Sequence, residues 1–376
     1  MNPYFNRTGI LLPRAGIPME TWSVIACDQH SSEREYWEAL DALVGEAPST
    51  LRLMLPEAYL DRDIAEESKK INAVMREYLE GGVFEEKKDC FVYLERTLPS
   101  GAVRRGLVGA LEMAEYDYAK GSRSAVRATE GTVEERLPAR VAIRKDAPLE
   151  MPHVMVFIDD PEDRLFGSVK KGEKLYDFEL SAGGGHIAGW LVDGAAADAV
   201  DAALEALAQE AKEKFAPDAP AVLAIGDGNH SLATAKKCGD REALVELVNI
   251  EDEAITFEPI HRVLFGTDPG EFLATYGGST VRLQESGDYA KLVRETEAWC
   301  QDYIARHGGS IDYIHNDETA LEMGARPGCC AVLLPALDKT ALFASIVKNG
   351  PFPKKSFSIG HACDKRYYLE CRKLEK

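Results

Sequence analysis

The sequence has no G-x-x-x-x-G-K-S/T phosphate loop, no G-x-G-x-x-G turn after a strand, no G-x-S-x-G nucleophile elbow and no H-E-x-x-H pair. The common nucleotide, hydrolase and zinc-protease scaffolds are therefore poor explanations of it. Its eight cysteines, at 27, 90, 238, 300, 329, 330, 363 and 371, include no C-x-x-C spacing. The adjacent Cys329-Cys330 cannot serve as an ordinary bridging pair, so the set reads as reduced thiols, mostly in the core. Positive charge is scarce: 44 Lys and Arg against 63 Asp and Glu give a net charge of -19. Such a surface repels phosphate backbones and anionic headgroups, which disfavours nucleic-acid and membrane partners. An anionic small molecule in a pocket with its own Arg and Lys stays open. Apolar runs such as Cys329–Leu334 are strand-sized and far short of a membrane span. The Met1–Arg7 stretch lacks the basic and apolar blocks of a signal peptide. The expected location is the cytoplasm.

The chain runs to 376 residues, 45% of them hydrophobic, enough for one large domain or two to three smaller ones. Apolar runs predict strands over Thr21–Cys27, Cys90–Arg96, Arg105–Glu112, Val154–Ile158, Ala221–Ile225, Leu244–Ile250 and Ile260–Phe265. Helical periodicity predicts helices over Glu33–Val44, Asp61–Tyr78, Ala195–Phe215 and Ser231–Cys238. From Tyr116 to Pro148 the chain is polar and Arg-dense, with little periodicity. Alternating strands and helices imply an α/β to α+β fold, a mixed sheet with flanking helices. The expected organisation is a main domain over 1–265, a smaller αβ subdomain over 266–349 and a tail strand over 350–376 that returns to the main domain.

The strongest chemical signal is the turn Gly226-Asp227-Gly228-Asn229-His230, between a buried strand and a helix. Two glycines let backbone N–H groups converge, and the helix start adds partial positive charge, a combination that suits phosphate or carboxylate. Asp227 is placed to hold a cation such as Mg²⁺ or to accept a proton, and His230 to act as acid or base. The alternative is a tight turn in which Asp227 and Asn229 merely cap the helix. A second candidate is Arg127-Ala128-Thr129-Glu130-Gly131-Thr132, with Arg127 as a fork-shaped anion donor and Glu130 as base or metal ligand. Arg123, Arg136, Arg140 and Arg144 concentrate positive charge nearby. His261 and Arg262 face opposite sides of a strand, so one of them is free to reach a site while the other faces away. Lys354 lies in a loop with a second lysine and two hydroxyls that could clamp a phosphate. His153, His307 and His315 have no supporting sequence neighbours and read as structural.

Five spaced segments resemble the bacterial family known as domain of unknown function 1015: Trp22–Gln29, Arg127–Thr132, Gly226–Ser231, Pro259–Arg262 and Lys354–Ser358. The turn itself is similar to the Asp-Gly-His-His-Arg or Gly-Asn-His-Arg turn of the ParB/sulfiredoxin superfamily, which includes a CTPase, sulfiredoxin and a free-serine kinase. That likeness implies a ParB/sulfiredoxin-like core in which Gly228, Asn229 and His230 contact nucleotide phosphates. Ser231 stands where those proteins carry a phosphate-gripping Arg, and Arg127 or Arg262 would have to supply the charge. The leading expectation is a phosphotransferase that uses Mg²⁺ and ATP or ADP on a small hydroxylated metabolite, for example an amino acid such as serine. On this reading Gly226, Gly228, Asn229, Ser231, Arg127, Thr129, His261, Arg262 and Lys354 bind phosphate or nucleotide, and Asp227, His230 and Glu130 act in catalysis. The alternatives are a metal-dependent phosphoester hydrolase, with Asp227, His230 and His261 as ligands, and a non-catalytic sensor of a phosphorylated metabolite.

Overall fold

The computed structural model describes residues 3–374 except 120, 133, 135–136, 216–217, 267–271, 273, 275–277 and 285–286. Arg136 therefore lies outside the described residues. The chain divides into two compact units, residues 1–255 with 362–376, and residues 256–361.

The first unit is built on an 11-stranded mixed sheet. Along its main path the order is Lys174–Glu179, His186–Val192, Phe84–Thr97, Val103–Glu112, Glu242–Asn249, Val154–Ile158, Leu223–Asp227, Val126–Ala128 and Tyr116–Asp117. Strand period two sends alternate residues to opposite faces, and the two hydrophobic cores follow it. Cys90, Val92, Leu94, Val108 and Leu244 join one core with Trp22, Trp37, Ile71 and Met75. Phe91, Tyr93, Leu107, Val245 and Leu247 join the other with Val200, Leu204 and Leu207 of the helix Gly194–Lys214. Val154–Ile158 is buried along its whole length, which explains its unbroken apolar run. The mixed sheet with flanking helices is the fold class expected from the sequence.

Several elements differ in detail. Thr21 and Trp22 close a short helix, Met19–Trp22, whose N-cap is Pro18. Only Val24–Ile25 is extended, paired with Tyr367–Tyr368. The Arg-dense stretch contains a helix, Leu137–Arg144. The tail forms two short strands, Tyr367–Tyr368 and Arg372–Lys373, on separate partners.

The second unit holds a four-stranded sheet in the order Thr280–Arg282, Cys329–Leu333, His261–Phe265 and Ser310–Ile314. Leu264, Cys330 and Val332 pack on one side with Tyr303, and Val263, Ala331 and Leu333 on the other with Ala320. The boundaries fall at 255/256 and 361/362 rather than 265/266 and 349/350. The reason is pairing: His261–Phe265 is an inner strand of this small sheet, and Phe357–Ile359 pairs with Phe257–Pro259.

One charge sits at the heart of the first unit. Glu246, on the central strand, has no solvent exposure. Arg104 of the neighbouring strand lies 3.3 Å from its carboxylate and Arg366 of the returning tail 3.0 Å. Arg366 also pairs with buried Glu370. Burial opposes the Glu246 charge, but Arg104 and Arg366 outweigh it and hold the carboxyl below its usual range. Removing one member of a buried pair leaves the others uncompensated. Glu246→Gln is expected to lower stability by about 3–5 kcal/mol in chemical denaturation; a loss under about 1 kcal/mol would show the arginines to be compensated elsewhere.

Candidate functional site

Two glycines shape the turn at the end of Leu223–Asp227. Gly226 is the extra residue of a bulge: Ile225 faces Val156, and Asp227, two residues on, faces Met155. A Cβ at 226 would lie 2.5 Å from the Phe157 ring. Gly228 has φ 80°, and a Cβ there would meet His153 Cδ2 at 2.9 Å and the Val154 Cα at 3.0 Å. Both positions need glycine for close approach, and Gly228 also for its left-handed backbone. The helix Asn229–Cys238 begins at once. Its first N–H groups have no intrahelical acceptors and carry the positive end of the helix dipole.

The parallel pairing of Val126–Ala128 with Leu223–Ile225 brings the second candidate segment alongside. Thr129, buried, donates its hydroxyl hydrogen to the Ile225 carbonyl and accepts from Asn229 Nδ2 at 3.4 Å. Asn229 is only 8% exposed, and its Oδ1 has no hydrogen-bond partner among the described residues. Glu130 and His230 are half-buried. Arg127 points the other way. Its Nε donates to the Ser124 carbonyl at 3.0 Å and its Nη2 to the Ala219 carbonyl, both at the start of these strands rather than at the turn.

A guanidinium reaches Ser231 from Arg140. From the helix Leu137–Arg144, Arg140 Nη1 donates to Ser231 Oγ at 3.2 Å while Nη2 pairs with Glu57. A second cation reaches the turn from the tail: Lys365 Nζ lies 3.0 Å from Asp227 Oδ2. Asp227 Oδ1 accepts from its neighbour's backbone, Gly228 N, at 2.9 Å. Arg96 and Arg104 fix the tail here by donating to the carbonyls of Cys363, Asp364 and Lys365 at 2.9, 2.9 and 3.0 Å.

His153, read from sequence as structural, is central. Its Nε2 lies 3.1 Å from Asp28 Oδ2 and its Nδ1 2.7 Å from the Tyr368 hydroxyl, which donates to Cys27 Sγ at 3.2 Å. Burial disfavours the imidazolium, but Tyr368 and Asp28 outweigh it and raise the His153 pKa well above its ordinary value. Burial likewise pushes Asp28 up, but His153 and Arg140 hold it far below the carboxylate range. At neutral pH the pair is therefore ionic. Both ring nitrogens then carry protons, so Nδ1 donates to Tyr368. Cys27, Arg140, His153, Ser231 and Tyr368 together line a cavity of about 150 Å³.

The remaining predicted residues, His261, Arg262 and Lys354, belong to the second unit. His261 accepts from Leu334 N at 3.1 Å through Nδ1 and lies 2.8 Å from Asp317 through Nε2. Arg262, fully buried, contacts Glu297 at 3.3 Å and donates to the Ile260 carbonyl. Lys354 is exposed. Among the described residues no group of three His, Cys, Asp or Glu side chains is placed to hold a metal ion. Asp227, with one oxygen on an ammonium and the other on an amide, does not fit a resident Mg²⁺, which asks for carboxylate and water oxygens in octahedral array. No helix among the described residues is long and apolar enough to cross a membrane. The eight cysteines are all free thiols.

The chain belongs to the family described as Protein of unknown function (DUF1015), whose model matches residues 11–369. A comparison with curated proteins finds no match. Among solved structures, the chain is similar to a free serine kinase in complex with AMP, at 11% identity and TM-score 0.33, over 69% of this chain and 92% of that one. A mutant of a free serine kinase in complex with ADP gives 11% and 0.35, over 69% and 93%. A conserved hypothetical protein from Pyrococcus furiosus gives 11% and 0.31, over 68% and 92%.

The Asp28–His153 pair has a pH signature. A His with a raised folded pKa contributes stability in full below its unfolded value, about 6.5, and loses it as pH rises towards and through the folded value. The stability advantage of the parent over His153→Gln should thus be largest near pH 6 and shrink on going to about pH 10 in denaturant titrations. An advantage that grows with pH would contradict the ionic pair.

Proposed function

We propose that the protein is a nucleotide-dependent phosphotransferase acting on the hydroxyl of a small metabolite, with the turn Asp227–Ser231 as its phosphate grip. The observation that carries this reading is Arg140 on Ser231 Oγ. It puts a guanidinium on the first turn of a helix whose N–H groups already favour anions, in a protein whose overall charge is strongly negative. Lys365 adds a second cation beside Asp227, and Asn229 Oδ1 offers a buried acceptor for a ligand donor.

In this reading the nucleotide phosphates lie over the backbone of Gly228, Asn229 and His230, with Arg140 and Lys365 neutralising charge as it spreads over the transferring group. The acceptor hydroxyl oxygen forms the new bond to phosphorus as the bond from phosphorus to the bridging oxygen breaks. Asp227 takes the hydroxyl proton, and the shortened nucleotide leaves with the bridging oxygen. Glu130 is the second carboxylate close to the turn and the alternative proton acceptor. Mg²⁺ would arrive on the nucleotide's phosphates, as the described residues offer it no built site.

The test is turnover of ATP and of ADP with Mg²⁺ across a panel of hydroxylated acceptors. Asp227→Asn should lower kcat by about 10²–10⁴-fold, and Arg140→Met should raise KM for the nucleotide while the protein stays folded. Full turnover in both Asp227→Asn and Lys365→Met would sink the proposal.

A further inference from the structure

The cavity beside the turn carries information about the substrate that the turn does not. Ser231 and Arg140, the groups that form the anion grip, are part of its lining. The rest of the wall is largely aliphatic or thioether, including Leu53, Met75, Ile143, Leu149, Leu232 and Ala235. Five of these are buried, from 0% to 4% exposed. They come from separate segments, so the space is not a gap left by one short side chain.

The polar groups in the wall are already matched. Arg144 pairs with Glu150 and Asp240, Tyr368 with His153 and Cys27, and the Thr234 hydroxyl with the His230 carbonyl. A purine edge entering here would find few groups able to read its nitrogens, and burying them unmatched is costly. An apolar group needs only contact. The volume of about 150 Å³ matches that of an engineered apolar cavity that takes up benzene. A small polar amino acid such as serine would leave most of that surface unfilled.

We infer that the cavity holds the body of the phosphate acceptor, a compact aromatic or branched aliphatic group the size of a benzene ring, and that the acceptor's phosphorylated end sits on Arg140 and Ser231. The assignment rests on the turn as a phosphate site, and it replaces a polar acceptor with an apolar alcohol. The ligand is an amphiphile: an anionic head at the helix start and a dry tail between the helix and the sheet. The Cys27–Tyr368–His153–Asp28 chain then borders the tail with a fixed set of internal hydrogen bonds, with no role in grasping the head.

Calorimetric titration of the full chain with inorganic phosphate, benzyl phosphate and benzyl alcohol tests this. Benzyl phosphate should bind at least about tenfold more tightly than phosphate, the return on burying a ring. Filling the cavity with Ala235→Leu, or with Ala147→Leu at another lining residue, should erase that preference and leave phosphate binding unchanged. Arg140→Met should weaken phosphate and benzyl phosphate alike. Equal affinity of the parent for phosphate and benzyl phosphate would overturn the assignment, as would a preference that survives in whichever filled variant folds. Benzyl alcohol binding that Ala235→Leu abolishes, with no phosphate binding at all, would uphold the apolar cavity and overturn the phosphate reading of the turn instead.

Discussion

Glu246 is a carboxylate with no exposure in the middle strand of a large sheet, and much of the site depends on how it is neutralised. Its partners are Arg104 from the adjacent strand and Arg366 from the tail. An isolated charge at such a depth is not tolerable, so the tail segment must be present and in register for the sheet to keep it. Arg366 lies between two tail residues that reach the turn and the cavity beside it. Lys365, before it, reaches Asp227; Tyr368, two residues after it, joins His153 to Cys27. A structural ion pair thereby fixes two side chains of the site without touching the site itself.

The proposed phosphate site is compatible with the net charge of -19. The positive groups are few and internal, each held by a partner that sets its direction: Arg140 by Glu57, Lys365 by Asp227, His153 by Asp28. Pre-organised donors of this kind cost little to orient when a ligand arrives.

The turn was legible from sequence because its chemistry is a backbone requirement: only glycine tolerates φ 80° pressed against His153 and Val154. Thr129, which contacts Ile225 and Asn229, lies in the second segment that the sequence singles out. The direction of Arg127 was not legible, because strand alternation says which face a guanidinium leaves from and not which carbonyls it then reaches. Arg140 was visible only as one of a cluster of arginines, because the charge density masks a helical spacing in which Leu137, Arg140, Val141 and Arg144 share one face. His153 was hidden more deeply, since its partners Asp28 and Tyr368 come from near the two ends of the chain. The domain boundaries moved for a related reason: strand partners such as Val332 for Arg262 are set by pairing that no local pattern records.

The first unit is discontinuous: the chain leaves it after Ile255 and returns at Ala362. A protein made from its N-terminus, with domains folding as they emerge, would have most of its large sheet before it has Lys365, Arg366 or Tyr368. Until those residues are translated, Glu246 lacks its tail partner, Asp227 lacks its ammonium and His153 lacks the Tyr368 hydroxyl. The order of synthesis thus acts as a check on completeness: the turn's ammonium partner and a neutralised core become available together, with the segment that returns at Ala362.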